Sequence, residues 1–257
     1  MKNTLAVDNE LIRKRRKKRT IKRSLIIFLL LISTLVILCL KLPYFNVESI
    51  NVVNNKIINS EEIISSSKID FGINIFTLNT KKIVTNVLSN PYILKADVIR
   101  KFPSTILISV EEREAAFYIE DNNKFIILDK NGVILESKDN VNNMNLTKLV
   151  GLDVSNFTIG KVIPKVDNRK LDLISLMTDL ISLNKTNKSG INITSVNIAD
   201  VHNVQVLCGN MLLKLGNIDI KDKLNLAFNI LVNNNLIHAK GYVDVSFDSS
   251  PVVYIEK

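Results

Sequence analysis

Asn90–Arg113 reads NPYILKADVIRKFPSTILISVEER, and this stretch decides the fold. Asn90-Pro91 ends whatever helix precedes it, because the residue before a proline is pushed out of the α region. Ile93 to Lys101 and Thr105 to Glu112 then read as two strands around Phe102-Pro103. In the second, Ile106, Ile108 and Val110 alternate with Leu107, Ser109 and Glu111, which puts one apolar face against a core. Just upstream, Asn79 or Thr80 caps a helix over Lys81 to Leu88, with Ile83, Val84, Val87 and Leu88 on one side. Phe71–Phe76, FGINIF, is a connector with its glycine at the turn. Asn59 caps a shorter helix, with Glu62 three residues on and Ile63 and Ile64 as its buried face. Asn46 to Val53 has the alternation of a strand. The order is β-α-α-β-β in about 70 residues, enough for a small sheet with two helices on one face.

Further upstream, the chain changes character. Residues 1–23 hold ten bases against Asp8 and Glu10, while everything from Ser24 on is nearly neutral, with 24 bases against 23 acids. The bases Arg13, Lys14, Arg15, Arg16, Lys17, Lys18, Arg19, Lys22 and Arg23 abut Ser24 to Leu40, a run without a charge. At 1.5 Å per residue such a helix covers about 26 Å, close to the roughly 30 Å hydrocarbon core. Snorkelling by Arg23 and Lys41, and Tyr44 and Phe45 at the interface, make up the difference. A basic run beside an apolar span is a topology signal: the bases stay in the cytoplasm and the chain from Leu42 on lies outside. Leu38-Cys39-Leu40-Lys41 offers no small residue for signal cleavage, so the span reads as a retained anchor. Leu38 before Cys39 also departs from a lipoprotein acceptor site. With Cys39 in the membrane and Cys208 outside, no disulfide joins them.

The near-neutral bulk argues against a nucleic-acid-binding face, which needs clustered base. Two cysteines and two histidines are too few for a usual zinc site. The five N-x-S/T triplets at Asn145, Asn156, Asn184, Asn187 and Asn192 carry little weight where 32 of 257 residues are Asn.

Downstream, Ala115 to Glu120, Lys124 to Leu128 and Val133 to Glu136 read as short strands, with Asp129 to Gly132 as the hairpin turn between the last two. After Leu149–Gly151 comes a helix over about residues 168–183. Strands follow at Val196 to Ala199, Val204 to Leu207 and Met211 to Leu215, then a helix from Asp219 to Asn233 with Leu224, Ala227, Phe228 and Leu231 on one face. The final segment from Gly241 to Lys257, GYVDVSFDSSPVVYIEK, closes the chain with a strand pair.

On these residues the chain resembles a POTRA domain of the FtsQ/DivIB form. Asn90-Pro91-Tyr92, Ala96-Asp97-Val98, Arg100 to Pro103, Thr105 to Ile108 and Ser109 to Arg113 match the family pattern P-x-I-x-x-A-x-V-x-R-x-x-P-x-T-L-x-I-x-V-x-E-R at nearly every landmark. FIILDKNGVIL, residues 125–135, is similar to the family's first hairpin after POTRA, and residues 241–257 to its closing strand pair; Ser246 stands where the family often has a base. The implied fold is α+β: a basic cytoplasmic tail at 1–23, a single transmembrane anchor at 24–44, a POTRA domain at 45–113, and an FtsQ/DivIB-type β domain with two helices at 114–257.

The resemblance implies a non-catalytic bitopic membrane scaffold of the bacterial divisome, at the division septum. Its implied partners are FtsL-like and DivIC/FtsB-like bitopic proteins and the septal peptidoglycan synthase complex, besides lipids through the anchor; no nucleic acid, cofactor or metal is implied. The alternative is a membrane-anchored extracytoplasmic enzyme acting on the cell wall. It would need a polar constellation, and the residues offer none: His202 and His238 are isolated, Glu111, Glu112 and Glu114 read as a solvated rim, and Cys208 has no base nearby. Asp129-x-Asn131-Gly132 lacks the ligands of a calcium loop. An outer-membrane assembly module would need several POTRA repeats or a barrel. The partner site is expected on the closing pair, at Val243, Val245, Phe247, Ser249, Ser250, Val252, Val253 and Tyr254. There Tyr242, Asp244, Ser246 and Asp248 alternate with core-directed Val243, Val245 and Phe247, and Pro251 cannot donate to a ladder, so its strand is either an edge or only partly paired.

Overall fold

The structure, a computed structural model, describes residues 2–186, 190–247 and 249–256, with side chains described from Arg16 on. Asn187 and Asp248, and the side chains of Arg13, Lys14 and Arg15, lie outside the described residues. Arg16, Lys17, Lys18, Arg19, Lys22 and Arg23 are exposed. They belong to α1 (Lys2–Lys41), which runs through the basic stretch and the apolar run without a break. Among the described residues it is the one helix long and apolar enough to cross a membrane; over Arg16–Lys41 its mean hydropathy reaches 2.7. A short 3-10 turn, Pro43–Phe45, ends it.

The chain forms two compact units: residues up to Val87 with Ala96–Val110, and Leu88–Lys95 with residues from Glu111 onward. The first contains β1 (Ser49–Val53), α2 (Ser60–Ser67), α3 (Thr80–Val87) and most of β2 (Ile93–Lys101) and β3 (Thr105–Glu112). The sheet order is β1-β3-β2, with β1 parallel to β3 from Ser49 opposite Thr105 to Val53 opposite Ser109. The caps follow the sequence signals: Asn59 Oδ1 accepts the Glu61 N–H at 3.2 Å, and Asn79 Oδ1 accepts the Lys82 N–H at 3.1 Å. Asn79 rather than Thr80 therefore holds the first turn of α3. Ile63, Ile83, Val87, Ile106, Ile108 and Val110 are buried. Leu88, expected on the buried side, is exposed because α3 stops at Val87. β1 begins three residues later than its alternation indicated, since Asn46 forms a bridge to Asn74 instead.

The second unit contains β4 (Ala115–Asp121), β5 (Lys124–Asp129), β6 (Ile134–Lys138), β7 (Thr147–Val150), α4 (Asn168–Thr186), β8 (Ile193–Asn197), β9 (Val204–Cys208), β10 (Met211–Gly216), α5 (Ile220–Asn233), β11 (Gly241–Asp244) and β12 (Val252–Ile255). One nine-stranded sheet takes them in the order β12-β11-β10-β9-β8-β7-β4-β5-β6. Parallel neighbours need a crossover, and α4 and α5 supply it for β7/β8 and β10/β11. Both helices contribute to one apolar core: Ile174 and Met177 of α4, and Leu224 and Ala227 of α5, join Phe117, Leu149, Val206 and Val243 of the sheet. β8 stops at Asn197, short of the expected Ala199, because the Asn197 side chain takes the Ala199 N–H at 2.9 Å.

The hairpin turn after β5 is built on Asp129. Its Oδ1 accepts the N–H groups of Asn131 and Val133 at 2.9 and 2.8 Å, and its Oδ2 accepts from Arg113 Nη1 at 2.7 Å. Gly132 sits at φ +71°, and a Cβ there would meet Leu171 Cδ2 at 2.7 Å. The turn thus needs glycine for its conformation, with the Leu171 side chain of α4 lying against it.

The closing segment departs from its expected alternation. β11 ends at Asp244, and although Val243 and Val245 are buried, Phe247 is 63% exposed rather than in the core. Asp244 Oδ1 accepts from the Ser246 backbone N–H at 3.1 Å and its hydroxyl at 2.6 Å, which turns the chain before the alternation reaches Phe247.

Candidate functional site: the terminal strand pair

β11 is held from both sides. It lies parallel to β10, with Leu213 opposite Val243, and antiparallel to β12, with Tyr242 opposite Tyr254 and Val243 opposite Val253. Gly241 makes the second pairing possible. Its φ is +153°, and a Cβ there would stand 2.0 Å from the Tyr254 carbonyl oxygen. Beyond Asp244, Val245 N–H donates to Lys214 O at 3.0 Å and Lys223 Nζ donates to Ser246 O at 2.9 Å, so the departing chain is pinned to β10 and α5.

On one face of the pair, Tyr254 stacks on Tyr242 with ring centroids 5.4 Å apart. Lys214 Nζ lies 4.3 Å from the Tyr242 centroid and 3.6 Å from Asp244 Oδ2. Burial draws the Asp244 carboxyl upward, but the two Ser246 hydrogen bonds and the Lys214 ammonium outweigh it and hold it below its ordinary value. At the far end, Lys240 pairs with Glu256 at 2.8 Å, and the Glu256 N–H donates to Lys240 O. The strand is fastened at both ends.

The outer side of β12 has no strand neighbour among the described residues. Its four residues, Val252, Val253, Tyr254 and Ile255, are all apolar or aromatic and all between 40 and 52% exposed. Val253 and Ile255 share the sheet face of buried Val243, so the core face runs on past its own cover. An edge strand offers unpaired N–H and C=O groups to another chain, and proteins ordinarily blunt such edges. The opposite edge of the same sheet is blunted: Ile134 N–H donates to Lys161 O and Ile134 O accepts from Gly160 N–H. β2, at the edge of the small sheet, carries Lys95, Asp97, Arg100 and Lys101. β12 carries no charge.

Of the residues expected to bind a partner, Phe247, Ser249, Ser250, Val252, Val253 and Tyr254 gather as an exposed strip on β12 and its approach. Val243 and Val245, expected in the same site, are buried in the core. Gly241 and Ile255 bound the expected segment; Lys214 of β10, which lies over Tyr242 and beside Asp244, is outside it. The place of Lys214 and the close approach at Gly241 depend on a strand register that sequence does not display. Elsewhere, His202 and His238 are exposed, and Cys208 is 3% exposed with its thiol pushed up to about 12 by burial. Tyr92 is raised above its ordinary value by burial, then by its hydrogen bond to Glu136 and that carboxylate's charge.

Comparison with known proteins agrees with this architecture. Residues 45–113 match the family model described as POTRA domain, FtsQ-type. The chain is 46% identical to the cell division protein DivIB of Clostridium acetobutylicum, over 97% of this chain and 99% of that protein. It is 39% identical to DivIB of Clostridium botulinum strain Hall over the full length of both. With the cell division protein FtsQ of Syntrophotalea carbinolica it shares 28% identity over 71% of this chain and 64% of that one.

Proposed function

The chain belongs to the DivIB family of cell division proteins, and from that membership we propose that it is a non-catalytic, single-pass scaffold of the divisome. α1 anchors it with the basic tail in the cytoplasm, and the two units stand outside the membrane at the division septum. They capture FtsL-like and DivIC/FtsB-like bitopic proteins and so support the septal peptidoglycan synthase complex.

The observation that carries this reading is β12: an uncharged edge strand with its apolar side chains half uncovered. An extended partner segment that adds a tenth strand would satisfy the outer N–H and C=O groups, and apolar residues on alternate positions would cover Val253 and Ile255. Full burial of such a side chain is worth about 1.5–3 kcal/mol, partly offset by the ordering of the partner. Anchoring both proteins in one membrane raises their effective concentration, so modest affinity suffices. Cys208 is buried, His202 and His238 stand apart, and Asp129 is engaged by Arg113 and two amides, which supports a binding role over a catalytic one.

Co-purification tests it. The full chain in detergent should retain the FtsL-like and DivIC-like proteins of its own organism, and a chain ending at Ser250 should lose them while keeping its anchor and first unit. Equal retention by the shortened chain would place capture elsewhere, with β2 as the next edge to test.

A further inference from the structure

Asn74 sits in the connector between α2 and α3, yet its side-chain amide donates to Cys39 O at 2.9 Å and Leu40 O at 3.3 Å, in the last turn of α1. Those carbonyls have no partner within the helix, and leaving them bare at the edge of a bilayer would be costly. The contact also fixes a depth. The connector reaches the level of the final turn of the apolar run, below Tyr44. Cys39 is the half-buried residue in the described part of an otherwise exposed helix.

The backbone locks this arrangement. Val47 N–H donates to Ile73 O, Gly72 N–H to Val47 O, and Ile75 N–H to Phe45 O, so residues 71–75 are stitched to the chain as it leaves α1. Arg100 then ties the other end of the connector to β2, through Ile75 O at 2.9 Å and Leu78 O at 2.6 Å. Around this seam, Tyr44, Phe45, Phe76 and Phe102 form a row, each ring 5.1–5.3 Å from the next. Three of its rings are exposed, Tyr44 66%, Phe102 59% and Phe76 40% accessible, with Phe45 half-buried among them; Phe71, at the start of the same connector, is 62% accessible.

We propose that this base of the first unit is a lipid-facing surface, lying in the headgroup region of the outer leaflet with Phe71, Phe76 and Phe102 inserted beside the anchor. The occupant follows from depth and continuity. The rings begin at the residue where α1 leaves the apolar core, and aromatic side chains are favoured at that level. Lys41 and Lys101, both exposed, flank the row where their ammonium groups reach lipid phosphates. The unit is thereby clamped against the membrane rather than tethered by a free linker.

The inference rests on α1 being the anchor, and the experiment separates the two. The chain contains no Trp, so one Trp introduced at a time is a unique reporter. The full chain carrying Phe102→Trp, Phe71→Trp, Leu35→Trp or Ile57→Trp is reconstituted in phosphatidylglycerol–phosphatidylethanolamine vesicles with brominated acyl chains. Leu35 lies within α1; Ile57 is an exposed residue past the Val53 end of β1, the end away from Phe102. All four sites are exposed, so the fold tolerates the larger ring, and two reporters at the base guard against a local effect at either. Bromine should quench Leu35→Trp strongly and both Phe102→Trp and Phe71→Trp substantially, leaving Ile57→Trp at its value in unbrominated lipid. Quenching of Leu35→Trp with both base reporters as bright as Ile57→Trp would overturn the lipid-facing surface and leave the anchor standing. An unquenched Leu35→Trp would overturn the anchor and the inference together.

Discussion

Tyr254 lies nearly parallel on Tyr242 across the final strand pair, their planes 24° apart, although Tyr254 belongs to the outermost strand and is 52% exposed. An aromatic pair of this kind is worth about 0.5–1.5 kcal/mol beyond the area it buries. The ring therefore fixes β12 while about half of its surface stays open at the sheet edge.

Replacing Tyr254 with Lys keeps the backbone and puts a charge on the open edge. Affinity for the DivIC-like partner should fall about tenfold or more, a loss of roughly 1.4 kcal/mol. Stability should fall by only about 1 kcal/mol, the value of the lost stacking. Titration of the partner and thermal unfolding of the same sample measure the two; unchanged affinity would remove Tyr254 from the interface.

Gly241→Ala should act on β12 alone. The new Cβ collides with the Tyr254 carbonyl, so β12 has to leave its partner strand. Hydrogen exchange at Val252–Ile255 should accelerate to near the rate of an open chain, while Val204–Cys208, two strands inward from β11, stays protected. Retained protection at Val252–Ile255 would show that the pair tolerates the methyl group.

Asp129 is a structural residue. Asp129→Ala strands Arg113, which is 19% exposed, and two turn amides; the loss should be about 3 kcal/mol or more in denaturant unfolding. Asp129→Asn, which can still accept from Asn131 and Val133, should lose less. Added calcium should leave the wild-type midpoint unmoved, because both carboxylate oxygens are engaged; a calcium-dependent rise would contradict this assignment.

The Asp244 turn should fail in acid. Its carboxyl is held below the ordinary 3.8 in the folded chain, so its contribution to stability is complete above that value and is lost as pH falls through the lower folded one. Wild type should therefore exceed Asp244→Asn in unfolding midpoint by a constant margin from neutral pH down to about 4, and the margin should shrink below it. A margin that widens in acid would have the sign wrong.

Local signals made much of this legible in sequence. The strands either side of Phe102-Pro103 start and stop where their alternation and the Asn90-Pro91 break put them, and Asn59 and Asn79 cap the helices they precede. What escaped is non-local. Phe247 continues an apolar alternation, and only the Asp244–Ser246 contact, a preference rather than a rule in sequence, takes it out of the core. Placing β11 inside the sheet and β12 at its rim requires knowing that α5 brings the chain back parallel to β10. The same holds at the other end of the chain. Asn74 reads as an ordinary connector residue, and nothing in FGINIF announces that its amide reaches a carbonyl 35 residues away.

The most direct measurement is site-specific photo-crosslinking in dividing cells, with a benzoylphenylalanine placed at Val253 in the full chain. Edge-strand capture predicts an adduct between this chain and the DivIC-like protein from Val253, and none from Ile99, an exposed position on β2. An adduct from Ile99 and none from Val253 would contradict it.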